Sequence, residues 1–168
     1  MTCAVLNGRI IGMIDDIHID DFCRDTALIL LYLYRQFPRK AELYVEDIIG
    51  PDEQDEYGLH STRHLSCLST MIWLAEEGLI RYNQSIRQEA LDQVVLTHPT
   101  FIKLTSIHKL RGDQNPPISS DISPNLPNSI QAERRTYIAL INSALQSGSS
   151  YTLRKTLLEI LGQLGAPE

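Results

Sequence analysis

The sequence is poor in cysteine, tryptophan and positive charge, and it has no long apolar run. Its three cysteines, Cys3, Cys23 and Cys67, are an odd and scattered set with no Cys-x-x-Cys pair. That excludes a disulfide scaffold and suits a reducing, cytoplasmic setting. No stretch approaches the roughly 18 apolar residues that a membrane span needs. The longest candidate, TALILLYLY (26–34), is short and flanked by charges. The N-terminal MTCAVLNGRIIGMIDD has neither a basic start nor a signal-length apolar core, so neither secretion nor membrane attachment is expected. Also missing are a Gly-rich phosphate loop, Gly-x-Ser-x-Gly and His-Glu-x-x-His. Without a motif that carries a mechanism, no catalytic residue, cofactor or enzyme activity is expected.

Basic charge is scarce overall and unevenly placed. The net charge is −6. Residues 15–57 hold twelve acids and four bases, a balance of −8. Residues 58–111 hold six bases (Arg63, Arg81, Arg87, Lys103, Lys109, Arg111) against four acids, a balance of +2. Phosphate binding draws on lysine and arginine, so a nucleic-acid face would have to lie in this second tract.

The hydrophobic share of 43% supports a packed core. Asn7-Gly8 between short apolar runs predicts an N-terminal strand or hairpin in residues 1–14. Residues 20–37 read as a first, very apolar helix, capped by Asp20 or Asp21 and stopped by Pro38. Residues 40–49 read as a second helix, ended by Gly50-Pro51. Residues 61–77 read as a third, with Ser61 as N-cap and Gly78 as terminator. Leu65, Leu68, Ile72, Ala75 and Leu79 are its expected buried stripe, with Thr62, Arg63, Ser66, Thr70 and Trp73 opposite. Strands are expected at 79–86 and 92–97, and a fourth helix at 98–110, started by Thr97 and Pro99. Residues 111–128 read as a Pro-rich linker. Asn128 with Gln131 resembles a capping box for a helix over 129–147, and a last helix spans 150–164.

The tract STRHLSCLSTMIWLAEEGLIRYNQS, followed by DQVVLTHPTFIKL, resembles the winged helix-turn-helix superfamily. The carriers are Leu65, Leu68 and Leu74, then Glu77-Gly78-Leu79-Ile80, then Leu96-Thr97. The resemblance covers about residues 20–110. It implies a mainly α fold with a small β-hairpin wing over residues 15–110, and the C-terminal helical hairpin, 129–168, is then an extension. It further implies a DNA-binding regulator. Helix 61–77 would take the recognition position, with Thr62, Arg63, Ser66 and Thr70 toward the major groove of double-stranded DNA. Arg81 and Arg87 on the wing (81–93) would meet the backbone. The appended hairpin would pair subunits into a homodimer through Leu153, Leu157, Ile160, Leu161 and Leu164. The rival expectation is an adaptor or accessory subunit that binds a protein partner, motivated by the acidic balance of residues 15–57.

Other conspicuous residues have plainer readings. His60, His64 and Cys67 fall at i, i+4, i+7, on one side of a helix, but a closed zinc site needs a fourth ligand and no partner cluster is evident. No metal site is therefore expected. The acidic run 52–56 reads as a solvated loop, and Arg134-Arg135 as helix surface. Tyr32, Tyr34, Tyr44 and Tyr57 read as core or interface. Asp15, Asp16, Asp20 and Asp21 around His18 read as caps and dipole partners at a helix start.

Overall fold

The structure, a computed structural model, describes residues 17–108 and 135–164. The N-terminal hairpin, Asp15-Asp16, the Pro-rich linker, Asn128-Gln131 and Arg134 lie outside the described residues. The described part is mainly helical, with one small antiparallel sheet.

Helix α1 (Ile17–Gln36) is the centre of the core. Cys23, Ala27, Ile29, Leu30, Leu31 and Leu33 are all buried on it. It starts before the expected cap, so Asp20 lies within its first turn, where a carboxylate suits the helix dipole.

Next comes a strand, β1 (Ala41–Tyr44), and then one short helix, α2 (Val45–Ile49). The expected helix over 40–49 is thus half strand. Lys-Ala-Glu-Leu favours a helix locally, but Ala41, Leu43 and Tyr44 pair with Val94, Leu91 and Ala90. That pairing buries Leu43 and Val45 completely, and the gain outweighs a propensity difference of a few tenths of a kcal/mol per residue.

Helix α3 (Thr62–Glu76) follows the sequence signals at both ends. The Ser61 hydroxyl accepts from the His64 amide at 3.2 Å. At the other end Gly78 adopts φ 71°, the Leu79 amide donates to Leu74 O, and the Gly78 amide donates to Ala75 O. This paired closure needs a left-handed residue, and glycine fills it without strain. The helix's phase differs from expectation. The buried face carries His64, Cys67, Leu68, Thr70, Met71 and Leu74. Leu65 is exposed, and Ile72 and Ala75 are only half-buried.

The chain then forms β2 (Ile80–Arg81), β3 (Gln84–Ile86) and β4 (Ala90–Leu96). Strand β4 lies in the middle: β1 pairs along one edge, β2 and β3 along the other. Residues 87–89 turn β3 into β4, with Arg87 at φ 48°. Opposite the register shift in β1, Gln93 has φ 52°, the mark of a bulge.

Helix α4 (His98–Thr105) ends earlier than expected, because Ile107 bridges to Thr136 and the His108 amide donates to Arg135 O. Helices α5 (Tyr137–Gln146) and α6 (Ser150–Leu164) form the C-terminal hairpin. Thr136 caps α5, accepting from the Ala139 amide. The expected interface stripe does not stand open. Leu153, Leu157 and Ile160 are buried in the same continuous core as Cys23, Leu30 and Met71, and Leu161 packs against it half-buried. The Leu164 side chain lies outside the described set. The hairpin therefore belongs to the body of the protein, with α6 along α1, and a dimer would need another surface. Among the described residues no helix is long and apolar enough to cross a membrane.

Candidate functional site

The winged-helix resemblance puts a binding face on α3 and the wing. The structure distributes those residues among three environments. Thr62 and Ser66 are exposed on the outer face of α3, and Arg81 and Arg87 are exposed on the sheet side. Thr70 faces inward, 5% exposed, and its hydroxyl donates to Ser66 O, so it is not part of that outer face.

Arg63 is turned toward the protein. Its two terminal nitrogens donate to the two oxygens of Asp25 at 2.7 and 2.5 Å, and its Nε lies 3.6 Å from Asp21. Asp25 sits on the core side of α1 at 1% exposure. A carboxylate buried there without a partner would be costly, and the forked guanidinium satisfies both oxygens at once. These bonds raise the Arg63 pKa further above its already high ordinary value, against the opposing effect of partial burial.

The outer face of α3 therefore shows Thr62, Leu65, Ser66, Ser69, Trp73 and Glu76, with Glu77 just beyond. Arg63 is the single lysine or arginine between residues 62 and 77, and it is engaged by Asp25. Leu65 and Trp73 are the apolar members, 40% and 36% exposed. Trp73 leans its ring on Phe22 of α1 edge-to-face, centroids 5.2 Å apart. The wing side is different in character. Lys40, Arg81, Tyr82, Asn83 and Gln93 line a shallow groove of about 270 Å³, with Lys40 Nζ donating to Gln93 Oε1. Among the described residues neither Arg81 nor Arg87 has an ion-pair partner.

The first turn of α3 carries a second cluster. The loop before it folds back on itself: Asp55 Oδ1 accepts from the Tyr57 and Leu59 amides, and Gly58 supplies φ 75°. This returns Asp52 to the start of α3, where its Oδ2 accepts from the Ser61 amide and lies 3.0 Å from His60 Nδ1 and 3.5 Å from His64 Nδ1. The Ser61 hydroxyl first, and then the His60 ring and the Ser61 amide, hold the Asp52 carboxyl below its ordinary pKa against the effect of burial. The two imidazole rings stack, centroids 3.9 Å apart. So of the trio suggested by spacing, the structure keeps both histidines together and adds Asp52, which sequence reasoning left in a solvated acidic run.

Cys67 goes elsewhere. It is fully buried beside Asp25 and Arg63, and burial pushes its thiol up to about 12. Cys23 is also buried and raised, again chiefly by burial. A thiol reacts through its thiolate, so both should be inert in the folded protein. In a Cys3→Ser variant at pH 8, labelling by a disulfide reagent should follow unfolding in urea, as read by circular dichroism. Immediate labelling of two thiols in the native protein would contradict this placement.

The tyrosines are dispersed rather than gathered into a stacking platform. Tyr34 and Phe37 stack on Phe101, Tyr32 donates to Glu42 O, and Tyr57 is exposed. No family model, curated protein or solved structure matches the chain.

Proposed function

We propose that the chain is a non-enzymatic winged-helix module that works as an adaptor, holding a basic amphipathic segment of a protein partner on the outer face of α3. The winged-helix reading is supported by the order α1-β1-α2-α3-β2-β3-β4 and by β4 lying between β1 and the β2–β3 edge. The adaptor reading is carried by one observation: the only strong cation of α3 is occupied by Asp25, so the outer face offers apolar and acidic groups to a partner. Leu65 and Trp73 supply apolar anchors. Glu76, Glu77 and, at the other end of the helix, the exposed Glu53, Asp55 and Glu56 supply the complementary charge. A DNA phosphate would meet these acids first.

Trp73 is the sole tryptophan, so its emission reports this face directly. A designed Lys/Leu amphipathic helical peptide should shift that emission saturably, and Leu65→Glu should weaken binding about tenfold or more. Duplex DNA of random sequence should leave it unchanged. A peptide without effect, or one bound equally by Leu65→Glu, removes the adaptor reading.

The regulator reading retains one specific support, the exposed Arg81 and Arg87 with Lys40 and Tyr82 on the wing side. If duplex DNA binds and the affinity falls steeply with salt, phosphate contacts from this side carry it. Arg81→Ala and Arg87→Ala should then each reduce the salt dependence.

A further inference from the structure

We infer that Asp52, His60 and His64 form a binding site for one zinc ion, which ties the 50–60 loop to the start of α3 and to the wing turn. His64 is the key. Its ring is 1% exposed, and its Nε2 lies 2.7 Å from Gln88 O. A carbonyl can only accept, so the Nε2 proton is fixed there, and in the neutral ring Nδ1 is a bare lone pair. That buried Nδ1 has no hydrogen-bond partner and faces Asp52 Oδ2, another acceptor, at 3.5 Å. Two lone pairs held face to face call for a cation between them. A ligating histidine whose other nitrogen donates to a backbone carbonyl is also the usual outer support of a metal site.

His60 completes the set. The three ligand atoms all lie within 4.8 Å of one another. Its Nδ1 stands 3.0 Å from the same Asp52 oxygen. Tetrahedral zinc with bonds of about 2.0–2.1 Å separates its ligand atoms by about 3.3–3.4 Å, close to the 3.5 Å between His64 Nδ1 and Asp52 Oδ2. An ion must lie near the plane of each ring, so His60 has to swing out of its stack on His64. The swing breaks only a long contact at its other nitrogen, to Gln54 at 3.4 Å. Two nitrogens and one carboxylate suit zinc rather than calcium or magnesium, which take oxygen ligands. The fourth position belongs to water. Cys67, turned to Asp25 and protonated, takes no part.

The test uses the full chain stripped with EDTA. Cobalt(II), as a spectroscopic probe, should bind at one equivalent with the intense visible bands of a tetrahedral site, and zinc should displace it and raise Tm. Asp52→Asn and His60→Ala, each checked for folding by circular dichroism, should weaken zinc about 100-fold or more, whereas Cys67→Ser should bind as the parent does. No binding at one equivalent, or undiminished binding in both folded variants, overturns the site.

Discussion

Arg63→Ala should lower the unfolding free energy by about 3 kcal/mol, the low end of the range for breaking a buried ion pair, since the arginine side chain is itself 34% exposed. The loss comes less from the attraction removed than from what remains. Asp25, 1% exposed on α1, would keep a carboxylate inside the core without its two charged donors and with only the weak Cys67 thiol beside it. Arg63→Lys should recover only part of the loss, because an ammonium cannot bridge both oxygens in one plane. Removing both partners is a different experiment. Asp25→Leu with Arg63→Met should lie within about 2 kcal/mol of the parent, since apolar replacements of similar volume leave no orphan charge. Urea melts of the four proteins check this, and an Arg63→Ala cost below 1 kcal/mol would show that the pair is not a buried one in solution. The result bears on function directly. Any loss of binding in Arg63→Ala has to be separated from loss of structure, so Leu65, Arg81 and Arg87 are the cleaner probes.

Leu157→Ala should cost about 3–5 kcal/mol and should do so for the whole protein in one transition. Leu157 is fully buried in the core that contains Leu30 and Met71. Helix α6 is tied further by His108 to Glu159 at 2.9 Å and by Arg154 near Asp20. Fluorescence of Trp73 and circular dichroism should therefore report the same shifted midpoint. Two separate transitions, with the C-terminal hairpin melting first, would mean that it is an appendage after all.

Much of the fold was legible in the sequence because its signals are local. Ser61, Gly78 and Thr97 mark helix boundaries where the structure has them. The stretches that misled are those decided by distant partners. Residues 41–44 are a strand because β4 waits for them, about fifty residues later. The phase of α3 was ambiguous because apolar residues lie on two stripes, Leu65-Leu68-Ile72 and Leu68-Met71-Leu74. The inner one wins because it carries Met71 and Leu74 into the core with α1, while Thr70 donates to Ser66 O and His64 Nε2 to Gln88 O. Arg63 read as a free cation since nothing nearby in sequence foretells a buried Asp25, 38 positions away. The metal cluster was half visible. Spacing paired the two histidines, but Asp52 arrives only through the loop closed by Asp55 and Gly58. An aspartate followed three residues later by glycine was the signal for that turn.

The bridge between Ile107 and Thr136 has a bearing on how freely this chain can vary. Because the His108 amide meets Arg135 O at 2.9 Å, the backbone departs and re-enters at one place. The described residues that flank 109–134 thus meet directly, and the core sets no span between them. Loop-closure entropy changes only slowly with length, by about 0.6 kcal/mol for each doubling. A change in the number of residues between 108 and 135 should therefore leave the packing of α1, α5 and α6 as it is.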